Sequence, residues 1–575
     1  MKRKFPIVHS GLAWVYGATV VTGVVLGACI SEPDYAPTSC STPTCTELAV
    51  DGSVTGAGGT AGGPGGGKGG AGGGLETGGA GGAGGGGPEP PTFPDGGTDT
   101  LSDGSVPSPP EEDASLKDAG ADDAGFAPTC DGLEMKPVVV YISADDSNSM
   151  GSPGHVRETL NIGFEPSPSR IRTYEFLNYY QMPYDAPDYE KLGLVPEIEL
   201  IPETSKADFQ LGVRSYNALP QRRPMNITFL VDTSGSMKGP GIERAQAAVK
   251  AIATQLVAGD TVSLLTTTDT TEKVKGRSVV GPNDPVLTNE VDKLVAGGSS
   301  DLNSSLAKAY LIADQFKDIA INRMSRVVLI SDGGANVGIT DTSIIAQHSA
   351  DADREGIYLV GIGTGPALSY NDALMNKVTE AGRGAYVYLD TVGEAQKILA
   401  DRFDETMDIA ARSVQVELTL PWYFAVKGES IEGPPSSTPV DPQHLAPNDA
   451  MVFLLQTTAC DPNVYNRSDN VRVRVSWRTP ITYQSRASEI NVPLNSLVGT
   501  NLPRIAKSRA IVAFAEALKG CGFDAEGKTL CKDETERKDV TKMKLISARK
   551  LAEKAPADAD ISQIIGLIDT HPLMQ

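Results

Sequence analysis

Met225-Asn226-Ile227-Thr228-Phe229-Leu230-Val231-Asp232-Thr233-Ser234-Gly235-Ser236-Met237 is the stretch on which the reading of this chain turns. Its first seven residues are mostly Met, Ile, Phe, Leu and Val, the composition of a strand buried on both faces. The run stops at an acid, and Asp232, Ser234 and Ser236 form D-x-S-x-S. A tight loop at a strand's carboxyl end can turn one carboxylate and two hydroxyls toward a single point. Oxygen-only donors suit Mg²⁺ or Mn²⁺, not zinc or copper. The competing reading is a Ser/Gly turn in which Asp232 caps the next helix, because Asp, Ser and Thr are ordinary N-cap residues.

Two later stretches favour the first reading. Gly297-Gly298-Ser299-Ser300-Asp301-Leu302 is a hydroxyl-bearing loop before a helix, and Ser325-Arg326-Val327-Val328-Leu329-Ile330-Ser331-Asp332-Gly333-Gly334 is again an apolar strand ending at an acid and glycines. In an open parallel α/β sheet such loops meet in one crevice, where these folds bind ligands.

These residues resemble the von Willebrand factor type A domain with its metal-ion-dependent adhesion site. Asp232, Ser234 and Ser236 match the first element of the family's pattern, Ser300 stands where Thr is usual, and Asp332 matches the final Asp. Ser300 keeps the hydroxyl but lacks the methyl that stiffens the rotamer. Residues 332–338 (D-G-G-A-N-V-G), 361–375 and 382–390 look like one bacterial subfamily of lipoproteins, which has an extra segment before the type A domain and a family-specific domain after it. The resemblance runs from about Val138 to the C-terminus. It departs at Gly334, usually an acid, and at Asp301, usually Asn. It implies Asp232, Ser234, Ser236, Ser300 and Asp332 as ligands of Mg²⁺, with Mn²⁺ or Ca²⁺ as alternatives.

The chain of 575 residues is long enough for several domains, and its net charge of −22 argues against a nucleic-acid partner. A basic start, Met1-Lys2-Arg3-Lys4, and the mostly apolar residues 11–26 read as a secretory signal. Leu26-Gly27-Ala28-Cys29 resembles a bacterial lipobox, which implies lipidation of Cys29 and a lipid anchor; the alternative is an uncleaved anchor or a chance Cys. Six of the seven cysteines then remain, an even number. Cys40 and Cys45, like Cys521 and Cys531, are close enough for small loops, which leaves Cys130 for Cys460, although six cysteines allow other pairings. Residues 52–88 are Gly-rich and residues 89–125 are rich in Asp, Pro, Ser and Gly, so both read as tethers.

The expected layout is a signal peptide (1–28), a tether (29–136), an N-terminal flanking α+β segment (137–223), the type A domain (224–408), a β-rich domain (409–500) and a helical region (501–575). The fold class is α/β, a doubly wound, Rossmann-like parallel sheet with a flanking antiparallel β domain and C-terminal helices. Period-two strands at 413–418, 451–457, 471–477 and 488–492 make the β unit, into which the strands before residue 224 can also pair. The acid and hydroxyls at Asp145, Asp146, Ser147 and Ser149 echo the main site and read as a capped turn.

No enzyme is expected. The five histidines, His9, His155, His348, His444 and His571, are scattered, and neither G-x-S-x-G nor H-E-x-x-H occurs. Gly361, Gly363 and Gly365 lack the spacing of a nucleotide loop, so no nucleotide partner is expected. After the signal no run of 18 apolar residues could make a helical pore. The resemblance implies an exported, membrane-anchored binding protein of the cell envelope, at the outer membrane or cell surface more than the inner membrane. Its partner would be a protein presenting a carboxylate. The alternative is a non-catalytic scaffold or accessory subunit of an envelope complex whose metal is structural.

Overall fold

The computed structural model describes residues 130–143, 149–268, 271–318, 322–334, 345, 348, 356–428, 435–524 and 528–575. The signal peptide, Cys29, Cys40, Cys45, nearly all of the tether, the turn at Asp145, Asp146 and Ser147, and residues 335–338 of the motif quoted above lie outside the described residues.

The chain begins with β1 (Val138–Ile142), helices α1 (Gly151–Asn161) and α2 (Thr173–Tyr179), and strands β2 (Gly193–Leu200) and β3 (Lys206–Arg214). The central region follows as β4 (Met225–Val231), α3 (Pro240–Ala253), β5 (Thr261–Thr266), β6 (Glu272–Ser278), α4 (Pro285–Asp292), α5 (Leu302–Gln315), β7 (Met324–Ser331), β8 (Ile357–Gly363), α6 (Asp372–Gly382), β9 (Arg383–Tyr388), α7 (Val392–Gln396) and α8 (Phe403–Met407). Strands return as β10 (Ala411–Leu420), β11 (Phe424–Gly428), β12 (Gln443–Leu445), β13 (Ala450–Ala459), β14 (Asn470–Arg478), β15 (Ser485–Pro493) and β16 (Val498–Gly499). Helices α9 (Pro503–Leu518), α10 (Glu534–Lys554) and α11 (Ala559–Thr570) end the chain.

The central sheet has the order β6-β5-β4-β7-β8-β9. Every residue of β4, β5, β7 and β8 is buried, as their apolar sequences require of strands covered on both faces. Side chains alternate across the strand, so Ile227, Phe229 and Val231 pack with α3 and α4 in one layer, while Leu230 joins α5 and α6 in the other. Helix α3 contributes Ala245, Ala248, Val249 and Ile252, spaced to share one face. The sheet is mixed and not wholly parallel: β6 runs antiparallel to β5 at the edge. Its sequence, EKVKGRS, buries only Val274, so it carries neither the alternation nor the apolar run that marks a strand.

The flanks build two further sheets together. β1 pairs antiparallel with β10, and β14 and β15 follow in order. In the second sheet β13 lies between β11 and β3, and β2 joins β3 to β16. Val416, Leu418, Val473 and Val475 of one sheet share a core with Phe209, Leu211, Phe453 and Leu455 of the other. The central α/β region is thus an insertion between two contributions to one β-sandwich. A disulfide between Cys130 and Cys460 ties the two contributions covalently, and a second joins Cys521 to Cys531. Helix α9 lies against both the sandwich and α2: Arg504 pairs with Glu197 at 2.7 Å, Arg509 pairs with Glu199 at 2.8 Å, and Phe514 meets Phe176 edge-on.

Alkylation of the unreduced protein should therefore leave Cys130, Cys460, Cys521 and Cys531 unlabelled by mass spectrometry. Cys460→Ser should lower stability by about 2–4 kcal/mol in urea titration, because the lost cross-link spans most of the folded chain. A free thiol at Cys130 in protein taken from its native compartment would contradict the pairing.

Candidate functional site

The parallel register of the central sheet sets the site. Val231 of β4 lies beside Thr266 of β5 and Ile330 of β7, so the next residues, Asp232, Thr267 and Ser331, emerge at one height. Asp232 Oδ1 accepts hydrogen bonds from the Ser234 amide and from Thr267 Oγ1, each at 2.9 Å, and Oδ2 accepts from Ser331 Oγ at 2.7 Å. The sequence reading missed Thr267 and Ser331. Their signal was available: each is a hydroxyl residue at the carboxyl end of a strand neighbouring β4.

Three loops close over this point. Ser234 is buried and its hydroxyl lies 3.0 Å from that of the exposed Ser236. The second loop docks on the first through Gly297 N–H to Thr233 O at 2.8 Å and Gly235 N–H to Gly298 O at 3.0 Å. Gly298 has φ +86°, a conformation that a side chain would strain. Ser300 is buried on this loop, and its hydroxyl donates to Gly334 O of the third loop at 3.5 Å. On that third loop Asp332 Oδ1 accepts from Gly334 N–H at 2.8 Å. A Cβ at Gly334 would sit 2.8 Å from Asp332 Oδ1 and 3.2 Å from Ser236 Oγ, so the loop crosses close to both ligand candidates and its glycine leaves them room. Asp232, Ser234, Ser236, Ser300 and Asp332 thus lie on three mutually bonded loops.

Asp301 acts elsewhere. Its carboxylate caps α5, accepting from Ser304 Oγ at 2.7 Å and the Ser304 amide at 3.0 Å, and these bonds hold its carboxyl below the ordinary range.

Asp232 and Asp332 are 2% and 3% exposed, and among the described residues neither is paired with a Lys or Arg. Burying two carboxylates without a counter-charge is costly. Two acids and three hydroxyls, all oxygen donors, fit a hard divalent cation in chemistry and in charge. Of the described histidines, His155 Nε2 lies 3.0 Å from Ala367 O and 2.8 Å from Arg170 Nη1, His348 stacks on Tyr310, and His444 and His571 accept from the Ser413 and Leu573 amides, each at 3.2 Å.

Residues 227–335 match the family model of the von Willebrand factor type A domain. Among curated proteins, the chain is similar to the uncharacterized protein YfbK of Escherichia coli K12, with 29% identity over 47% of this chain and 49% of that protein. It is also similar to the inter-alpha-trypsin inhibitor heavy chain H1 of Sus scrofa, with 24% identity over 46% of this chain and 29% of that one. The chain thus spans about half, or less than a third, of these relatives' own lengths. Among solved structures, a von Willebrand factor type A protein from Catenulispora acidiphila matches with 15% identity and a TM-score of 0.43, covering 66% of this chain and 89% of that one. The central region of the chain is a von Willebrand factor type A domain of α/β fold, accompanied by antiparallel sheet and C-terminal helices.

The two acids should respond differently to substitution. Asp232→Ala should abolish Mg²⁺ binding in calorimetry, because it removes the acid of the loop carrying both serines and strips Thr267 and Ser331 of their acceptor. Asp332→Asn keeps an acceptor for Gly334 N–H and should weaken Mg²⁺ binding by about 1.5–3 kcal/mol. In chelator the same variant should melt at an equal or higher temperature, since one buried charge is gone. Parental Mg²⁺ affinity in both variants would make these acids caps and nothing more.

Proposed function

We propose that this chain is a metal-dependent binding protein of the cell envelope that captures a carboxylate on a protein partner. The observation that carries the reading is the pair of buried carboxylates, Asp232 and Asp332, without cationic partners among the described residues, where three hydroxyl-bearing loops converge. Asp232, Ser234, Ser236, Ser300 and Asp332 would hold the cation, Mg²⁺ with Mn²⁺ or Ca²⁺ as alternatives. When bound, it supplies a local positive charge toward a partner's acid on a protein whose net charge is −22. The protein's own part is to keep the acids fixed and partly dry: Thr267 and Ser331 orient Asp232, and the loop glycines let the three loops approach.

The lipoprotein reading belongs to the same proposal. Lipidation of Cys29 would hold the binding domain at a membrane, with the Gly-rich residues 52–88 lying between the two in sequence. No helix among the described residues is long and apolar enough to cross a membrane. The resemblance to bacterial lipoproteins supports the outer membrane or cell surface as the location.

A pull-down with the mature protein in Mg²⁺ and in chelator tests the function. A partner should be retained with metal and lost with chelator or with Asp232→Ala, and a partner retained equally in all three makes the metal irrelevant to capture. Cys29→Ser should move the protein out of the membrane fraction or leave it unprocessed. Unchanged fractionation and unchanged mass would remove the anchor from the proposal.

A further inference from the structure

Behind Asp332 lies a second layer that the ligand pattern does not include. The Thr364 amide donates to Ser331 O at 3.2 Å and the Asn371 amide donates to Asp332 O at 3.0 Å, so residues 364–371 back the third loop. The contact is tight: a Cβ at Gly365 would lie 2.3 Å from the Cβ of Asp332. Whatever holds Gly365 therefore limits where Asp332 can stand.

Gly365 is held through its carbonyl. Tyr388 Oη lies 2.6 Å from that oxygen and Arg244 Nη1 donates to it at 3.3 Å. Arg244 sits on α3, the helix that follows the Asp232–Ser234–Ser236 loop, so one guanidinium spans from the element behind the first acid to the strut behind the second. Arg244 is 8% exposed and is paired with Glu158, reached by Nη2 at 2.8 Å and Nη1 at 3.1 Å. The Tyr388 hydroxyl also contacts Glu158. Glu158 belongs to α1, in the segment that precedes the type A domain, and α1 is fixed on the sheet edge by Met150 N–H to Tyr386 O at 2.7 Å.

We infer that Arg244 and Glu158 are positioning residues for the metal site, with Glu158, from outside the type A domain, holding Arg244 so that the Asp232 and Asp332 loops keep one separation. The inference rests on the metal-site reading proposed above. Without Glu158, Arg244 is a buried cation stripped of its ion-pair partner, and it leaves the Gly365 carbonyl for solvent. The strut behind Asp332 then loosens.

The experiment uses the whole mature protein. Mg²⁺ affinity is measured by calorimetry, and amide hydrogen exchange at Thr364 and Asn371 is measured in chelator, for the parent, Glu158→Ala, Arg244→Ala, the double variant and the milder Glu158→Gln. Each alanine variant should weaken Mg²⁺ binding by roughly 3- to 30-fold and speed exchange at both amides. The double variant should lose no more than either single one, because the two side chains act as a unit. Glu158→Gln, which keeps acceptor oxygens, should recover part of the loss and covers the case in which an alanine variant fails to fold. Arg504→Gln, which breaks the ion pair to Glu197 far along the chain, should leave both readouts as in the parent. Faster exchange with parental Mg²⁺ affinity, or additive losses in the double variant, would overturn the inference. A parent that binds no Mg²⁺ ends the proposed function instead; exchange at Thr364 and Asn371 then still reports whether the pair holds the strut, and unchanged exchange ends this inference too.

Discussion

The site depends on one buried carboxylate held from three directions. Asp232 accepts from its own loop, from Thr267 and from Ser331, and the last two stand at the carboxyl ends of the strands on either side of β4. This arrangement exists because parallel strands in register end together, so groups distant in sequence arrive at one height. Once Asp232 is fixed, the remaining loops have little freedom: Gly297 and Gly235 bond the second loop to the first, and Ser300 bonds the second to the third.

The sandwich poses the opposite problem, since its strands come from both ends of a long insertion. β1 and β10 pair in perfect sequence from Val138 with Leu420 to Ile142 with Val416, across the whole type A domain. Closing so long a loop costs entropy that grows only slowly with length, so the penalty is modest once the domain has folded. Burial of Phe209, Leu211, Phe453 and Leu455 between the sheets offsets it, and the Cys130–Cys460 disulfide limits how far the two ends can part in the unfolded chain.

Between the flanks and the domain, buried polar contacts add to an apolar core that Met150, Val156 and Leu160 share with Val387 and Leu389. Arg172 forks onto Asp372 at 2.7 and 2.8 Å while its Nε reaches Glu175, and Arg157 does the same with Asp390 while contacting Glu394. Buried pairs of this kind contribute little net stability but penalise any other seating of the two parts. They place α1 and α2 on the side of the sheet where residues 364–371 back Asp332, so a segment outside the domain bears on the geometry of its site.

Much was determined by the sequence alone. Apolar runs ending at Asp232 and Asp332 marked β4 and β7 because burial on both faces leaves a continuous signature, and D-x-S-x-S marked the loop because local spacing controls what a tight turn presents. Helix α3 was legible from its period. Tertiary structure alone decided the rest. Thr267 and Ser331 became partners of Asp232 through strand register, which no local pattern encodes. Edge strand β6 exists because β5 offers it a ladder, since its own residues are mostly polar. Asp301, an acid beside Ser300 on the same loop, caps its own helix, where its carboxylate meets the Ser304 amide and hydroxyl. The pairing of β1 with β10 and the reach of Glu158 to Arg244 join residues that only the closed fold brings together, because their energy comes from desolvation and long-range contact and not from anything a short stretch of chain can show.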